Sequence, residues 1–327
     1  MSALRGGLVA LVAVGILAAP AMALDLGDAA PPLKVEKWVK GGPIDLKNGK
    51  DKSIYLIEFW ATWCGPCRAS IPHLTELQKK YKDKGLVVIG VSVDNEKTRD
   101  NVKPFVDDMG DKMGYAVALD QKEDGTSTAY MKPFELDGIP SAFLVDKAGK
   151  LVWLGQGYPL VGVEEAIDQI LAGKYDLKAA QQAEKTRRAE AGKRRQLMEK
   201  IQKYFELVSE SEKPEGADKL GREVFAALGK DAMLLNEFSW EILTGEEIKY
   251  RDLKLALDVG KAAYDACEGK EAAIVDTYAR ALFDNGNVKD AIEYQKKAVQ
   301  LAGDSPEMKK ELEATLNKYE DAAKNKK

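Results

Sequence analysis

The chain has 327 residues, of which 45% are hydrophobic and 31% charged, with a net charge of -4 at neutral pH. That length suits two domains of ordinary size, and that charge gives no dominant cationic surface, so nucleic-acid binding is not expected. Three cysteines are too few for a disulfide-built scaffold, so the fold must rest on its core, leaving the close pair Cys64 and Cys67 free for chemistry.

The first residues have the pattern of an export signal. Arg5 precedes an uncharged apolar run from Leu8 to Ala19, and Ala21 and Ala23 stand at the two small-residue positions of a cleavage site. Cleavage after Ala23 is expected. The alternative is an uncleaved membrane anchor, although the run is short for a bilayer. No cysteine follows it, so a lipid-anchored form is not expected. The expected location is outside the cytoplasm, in a bacterium the periplasm.

An extended stretch follows, where Pro31-Pro32 exclude helix and Leu33 to Trp38 alternates weakly. Ile54 to Trp60 is apolar almost throughout, the pattern of a buried strand. Gly65-Pro66 opens a helix, with proline where its missing N–H matters least. This helix is expected to run to about Lys82, kink at Pro72 and stop at Gly85. Leu86 to Val93 is the next buried strand, and helix signals follow from about Glu96 to Met109. Tyr115 to Leu119 and Ser141 to Val145 read as strands. Asp146-Lys147-Ala148-Gly149 is a hairpin turn, and Leu151 to Leu154 returns antiparallel. A helix over about Gly162 to Leu171 completes the region. Strands alternate with helices early and a hairpin comes late, which predicts an α/β fold with a mixed sheet.

Past Tyr175 the composition changes. Residues 181–195 are densely charged, and the helical pattern continues to about Ser209, as in a solvated single helix or a semi-rigid spacer. Ser209 to Asp218, with Pro214 and Gly216, reads as a break. From Lys219 onward only helical periodicity is present. The stretch Asn236 to Leu243 resembles Asp276 to Phe283, and Ala256 and Ala263 recur as Ala291 and Ala298. That spacing is close to the tetratricopeptide period, and small residues there let paired helices approach closely. Residues 235–302 thus resemble two tetratricopeptide-type helix pairs, with an insertion near Gly245 to Tyr250 and a capping helix over Pro306 to Tyr319.

The strongest signal is Phe59-Trp60-Ala61-Thr62-Trp63-Cys64-Gly65-Pro66-Cys67, which follows a predicted buried strand and opens a predicted helix. A helix N-terminus presents unpaired backbone N–H groups and the positive end of the dipole. A thiol placed there loses its proton more easily, which makes Cys64 the candidate nucleophile. Cys67 lies one turn further in, within disulfide reach and more buried. Cys64 would attack a substrate disulfide, and Cys67 would then attack Cys64 and release the reduced substrate; the reverse sequence oxidises a substrate. A structural zinc site needs about four ligands, which one cysteine pair and the single histidine, His73, do not supply. A purely structural short-loop disulfide remains open on the residues alone.

With Ile71-Pro72-His73-Leu74 and the run Val88-Ile89-Gly90-Val91-Ser92-Val93-Asp94, the motif resembles the thioredoxin superfamily, and within it the exported TlpA/ResA-like branch. The resemblance covers about Ala30 to Gly173. It implies a thioredoxin-like α/β fold and thiol–disulfide exchange with no bound cofactor or metal. The expected organisation is a signal over 1–23, a thioredoxin-like domain over 24–175, a charged helical linker over 176–215 and a tetratricopeptide-like all-α domain over 216–327.

The resemblance also distributes roles. The catalytic set it implies is Cys64, Cys67, Glu58 and Pro140. In that family a buried acid at the Glu58 position helps move the proton of the second cysteine. An acid inside an apolar strand is costly without a task or a partner, so a paired or edge-facing structural glutamate is the alternative. Pro140 is expected to be cis, setting the Ile139 backbone against Cys64 to pair with an extended substrate; an ordinary trans turn proline is the alternative. Trp63, Gly65, Pro66 and Ile139 are the expected substrate-binding residues, and Trp60 is expected in the core. His73 is assigned a surface or supporting position rather than catalysis. The branch sometimes carries a glutamate three residues after its second cysteine; this chain has Ser70 there, so that acid is not expected. Cys267 is read as a buried, inert thiol late in a helix, with an intermolecular disulfide as the alternative.

Gly65-Pro66 and Ile139 match the reducing end of the family. Reducing and oxidising members differ by about 150 mV, or about 7 kcal/mol. The expected activity is therefore reduction of exported protein disulfides, such as those of cytochrome maturation. A membrane protein is the expected electron donor, because no nicotinamide or flavin motif appears. Two alternatives stand beside it: a helical interaction scaffold that carries a redox domain, and a peroxidase.

Overall fold

The computed structural model describes residues 24–327 except 50, 51, 124, 304, 326 and 327, so the expected signal over 1–23 lies outside the described residues. The chain divides into two compact units after Arg188. The first contains β1 (Val35–Lys40), β2 (Ile54–Trp60), α1 (Gly65–Tyr81), β3 (Leu86–Ser92), α2 (Val102–Met109), β4 (Ala116–Asp120), α3 (Thr126–Met131), β5 (Ser141–Val145), β6 (Leu151–Gln156) and α4 (Val163–Leu171). The unit boundary falls inside the next helix, α5 (Leu177–Glu210).

The strand order is β1-β4-β3-β2-β5-β6. β2 runs parallel to β3, and β3 to β4; the pairs β1–β4, β2–β5 and β5–β6 are antiparallel. This mixed sheet, with helices flanking it, is a thioredoxin-like fold. The apolar run of β2 places it at the centre, buried at every position. Ile54, Leu56 and Trp60 face one core, shared with Ile71 and Leu74 of α1, Val106 of α2 and Ile167 of α4. Tyr55, Ile57 and Phe59 face the other, with Tyr130 of α3, Phe134 and Phe143. A strand covered on both faces has no polar alternation to show, which is why its sequence reads as one apolar block.

α1 runs through Pro72 to Tyr81. The chain turns into β3 at Gly85, whose φ is +95° and where a Cβ would stand 2.6 Å from the Lys52 carbonyl oxygen; glycine is required there on both counts. The helix expected from Glu96 starts later. The Asn95 carbonyl accepts from the N–H groups of Thr98 and Arg99, and its side chain accepts from Lys97 N at 2.9 Å. That local turn displaces the first helical turn. α3 was not expected from the sequence. Its free N–H groups are capped from a distance, with Asp120 accepting from Thr126 N at 2.7 Å and Ser127 N at 3.0 Å.

The charged linker expected over 176–215 is a single helix, but its start is not a solvated spacer. In the first unit Gln181 Nε2 donates to the Leu26 carbonyl at 2.6 Å, and Arg187 Nη2 donates to the Phe134 carbonyl at 2.6 Å. Arg188 Nη2 donates to the Leu24 carbonyl at 3.1 Å. The buried Glu184 carboxylate accepts from both arginines. The charge density that suggested a solvated face thus comes partly from an internal ion cluster.

The second unit is all-helical. Within it the end of α5 buries Tyr204 and Val208. It is followed by α6 (Ala217–Leu228), α7 (Ala232–Thr244), α8 (Leu253–Ala266), α9 (Ala272–Asp284), α10 (Val288–Leu301) and α11 (Pro306–Asn325). α7 packs on α8 and α9 on α10, while α8 packs on α9, and α10 on α11. Ala256, Ala263, Ala291 and Ala298 are all fully buried at these contacts. The Ser239 hydroxyl donates to the Ala256 carbonyl at 2.8 Å, which needs the close approach that small residues allow. Cys267 departs from expectation: it is the C-cap of α8 and only partly buried, and its Sγ lies 3.3 Å from the Tyr264 carbonyl. Among the described residues no helix is long and apolar enough to cross a membrane.

Candidate active site

The site forms where β2 hands over to α1. Cys64 is the N-cap of α1, with extended backbone (φ -81°, ψ 106°), and Gly65 and Pro66 fill the first helical positions. Cys64 and Cys67 form a disulfide with their Cα atoms 5.3 Å apart. The Cys67 N–H, one of the helix's free donors, points at Cys64 Sγ at 3.2 Å. Cys67 is fully enclosed, whereas Cys64 retains 5% exposure. A nucleophile arriving from solvent therefore meets Cys64 first. The helix terminus and that N–H favour a negative charge on its sulfur once the bond is reduced.

The turn that presents Cys64 is held by a pair absent from the sequence-based site. Asp94, just past β3, accepts from the Thr62 N–H at 2.9 Å and from the Thr62 hydroxyl at 2.6 Å. The Ser92 hydroxyl donates to the same carboxylate at 2.8 Å. Asp94 is buried, and these bonds offset the cost of enclosing it. The two partners are 32 positions apart, so no local spacing signals the pair; only the polar end of an otherwise apolar strand marks Asp94.

The opposite wall is the segment before β5. The Ile139–Pro140 peptide is cis, and the Ile139 carbonyl oxygen lies 3.7 Å from Cys64 Sγ. In the disulfide state that sulfur carries no proton, so the approach is a contact; on reduction the thiol can donate to the same oxygen. The Gly157 N–H donates to the Pro140 carbonyl at 2.8 Å. This ties in the segment after β6, where Tyr158 and Val161 are exposed. Trp63, beside Cys64, is 59% exposed, whereas Trp60 is wholly buried. Gly65 has open space around it, with nothing within 4 Å of a built Cβ. His73, further along α1, is half-buried.

Glu58 sits in the middle of β2, fully buried, in register with Gly90 of β3 and Ala142 of β5. Those small neighbours leave room for the carboxyl. A Cβ at Gly90 would stand 3.0 Å from the Tyr115 ring and 3.1 Å from Trp60 Nε1. Burial pushes the Glu58 carboxyl up from 4.5 to about 8, with a hydrogen bond from Ser70 opposing the shift. Ser70 Oγ lies 3.1 Å from Glu58 Oε1 and 2.7 Å from the Cys67 carbonyl. Glu58 Oε2 has no protein partner. The structure thus brings Glu58 to the Cys67 end of α1, joined through a serine that the sequence-based set leaves out. The only sequence mark of Ser70 is its position, three residues past Cys67 on the same helix face. Among the described residues no cluster of three or more His, Cys, Asp or Glu side chains is placed to hold a metal.

Comparison with known proteins agrees with this geometry. The family model described as Redoxin matches residues 25–171. The chain is 37% identical over 129 residues to thiol-disulfide oxidoreductase ResA of Bacillus thuringiensis (strain Al Hakam), a match covering 39% of this chain and 68% of that protein. Protein FixW of Rhizobium leguminosarum is 29% identical over 164 residues, covering 47% of this chain and 70% of that one. Among solved structures, the thioredoxin domain of a thiol-disulfide oxidoreductase from Bacteroides vulgatus is 30% identical with a TM-score of 0.36, covering 44% of this chain and 98% of that domain. The 37% identity to a thiol-disulfide oxidoreductase ResA, over 68% of that protein, places the chain among the ResA-like thiol–disulfide oxidoreductases of the thioredoxin superfamily.

Proposed function

We propose that this chain is an exported reductase of protein disulfides. The single observation that carries the reading is Cys64 at the N-cap of α1, with the Cys67 N–H on its sulfur and Cys67 enclosed behind it. In the reduced enzyme the Cys64 thiolate attacks one sulfur of a substrate disulfide. A Cys64–substrate bond forms, and the other substrate sulfur leaves as a thiolate. Glu58 then takes the Cys67 proton, and the Cys67 thiolate attacks Cys64 Sγ. The Cys64–Cys67 bond forms, the second substrate sulfur leaves, and two electrons have passed from enzyme to substrate.

The ionised form of Glu58 receives that proton, and the protonated form, which its value of about 8 favours at neutral pH, returns it in the reverse step. Trp63, Tyr158 and Val161 supply exposed apolar surface on the segments beside Cys64 and Pro140, and the Ile139 backbone offers main-chain pairing to an extended peptide. Gly65 and Pro66 between the cysteines support the reducing direction. The apolar run over Leu8 to Ala19 supports export. In the periplasm the electrons would come from a membrane protein, and cytochrome maturation is one process that consumes such reducing power. The helices of the second unit support protein binding: Met233 and Trp240, seven positions apart on α7, are 58% and 40% exposed.

The reduction potential of the Cys64–Cys67 couple, measured in dithiothreitol and glutathione buffers, tests direction. A value near thioredoxin, about -270 mV, is expected; one near about -120 mV reverses the direction. Insulin reduction by the purified chain, lost in Cys64→Ser, tests the activity itself. An active Cys64→Ser chain refutes the reading.

A further inference from the structure

Ser70 is wholly buried on α1, and a hydroxyl has one proton to give and two lone pairs to receive with. Two acceptors lie within its reach, the Cys67 carbonyl at 2.7 Å and Glu58 Oε1 at 3.1 Å. One proton cannot serve both at once. While Glu58 is protonated, the Ser70 O–H is directed to the Cys67 carbonyl, and Ser70 Oγ accepts the carboxyl proton. When Glu58 is ionised, the acceptor is the carboxylate, and a turn of the hydroxyl about the Cβ–Oγ bond delivers the Ser70 proton to it.

A serine that bonds the carbonyl one turn back is common in helices and by itself has no mechanistic meaning. Here the same hydroxyl also touches the buried Glu58 carboxyl, proposed above as the base for Cys67, and the other carboxyl oxygen has no protein partner. Ser70 is therefore the one protein hydrogen bond to Glu58 among those described. We infer that Ser70 is a positioning residue for the second exchange step, its hydroxyl turning between the Cys67 carbonyl and Glu58 so that the carboxyl stays aimed at Cys67 in both protonation states. This rests on the reading of Glu58 as the base for Cys67.

The second step can be followed alone. In the full chain carrying Cys267→Ser, so that only the site cysteines report, the reduced protein is mixed with an aromatic disulfide whose thiolate product is coloured. The first release of colour reports attack by Cys64, and the second reports attack of Cys67 on the mixed disulfide. Each phase is recorded from pH 5 to 10. With Ser70 present, the second phase rises along a limb set by Glu58. In Ser70→Ala the ionised carboxylate loses its donor, so the limb moves up by about one pH unit. The second phase then falls about tenfold below the limb and recovers above it, while the first phase is unchanged. Ser70→Thr, which keeps the hydroxyl, restores the original midpoint. A uniform loss at every pH in Ser70→Ala, or no change, overturns the inference while Glu58→Gln still abolishes the limb. A limb that survives in Glu58→Gln removes the base reading and this inference together.

Discussion

Glu58 makes the stability of the redox unit depend on pH in a direction opposite to most carboxylates. Its ordinary value of 4.5 is raised by burial to about 8. Below pH 4.5 the group is protonated whether the chain is folded or unfolded. Between 4.5 and about 8 the unfolded chain ionises while the folded one keeps its proton, so unfolding releases a proton. Stability contributed by the protonated form is thus fully present at low pH and is lost as pH rises to about 8. At about 1.4 kcal/mol per pH unit, that span amounts to about 5 kcal/mol. Glu58→Gln removes the titrating proton and keeps the shape. Thermal unfolding of both chains, followed by tryptophan fluorescence with the disulfide kept oxidised, isolates the effect, because all other groups cancel in the difference. The variant should gain on the parent by roughly 10–20 °C in Tm between pH 4 and pH 9, taking about 2–4 °C per kcal/mol for a unit of this size. A difference that stays constant across that range, or that shrinks as pH rises, would show that Glu58 is ionised in the folded chain and would refute the account of its burial.

Three further outcomes follow from the packing. Asp94→Ala orphans the Thr62 N–H and hydroxyl and should cost about 2–3 kcal/mol; a denaturant midpoint unchanged from the parent would contradict the role given to that carboxylate. Trp63→Ala should leave stability within about 0.5 kcal/mol, because the ring is mostly exposed. Its effect should instead be a rise of about tenfold in KM for a protein disulfide at unchanged kcat, and an unaltered KM would remove Trp63 from the docking surface. Ala263→Leu forces a branched side chain into a fully buried helix contact and should destabilise the second unit by about 1–3 kcal/mol. Insulin reduction should be retained, and a loss of activity together with stability would show that the two units do not act independently.

The strands and the cysteine site were legible because their causes are local. β2 and β3 are unbroken apolar runs, Cys64-Gly65-Pro66-Cys67 carries its own helix start, and the recurrence of Ala256 and Ala263 as Ala291 and Ala298 marks where helices touch. What escaped depends on partners that no helix or strand periodicity marks. α3 is capped by Asp120 at the end of β4, six positions before Thr126. The turn before Cys64 is held by Asp94, just past the next strand. The charge-rich start of α5 reads as solvated because its acceptors, the carbonyls of Leu24, Leu26 and Phe134, are main-chain groups that no side-chain pattern records. Ser70 was noted for the acid it is not; its importance came into view only when the hydroxyl was placed against Glu58. Cys267 lies at the end of a helix as expected, but as the C-cap of α8 it is only partly buried.

The clasp between the first described residues and the start of α5 bears on how this chain is made. Gln181 and Arg188 grip the carbonyls of Leu26 and Leu24 across 155 and 164 positions. A ribosome delivers the two ends of that clasp many seconds apart, at roughly 5–20 residues per second. Until the later end emerges, the Leu24 and Leu26 carbonyls lack these donors. Anyone wishing to produce the redox half by itself should therefore keep the chain through Arg188, since a cut at residue 175 would discard the latch while retaining every catalytic atom.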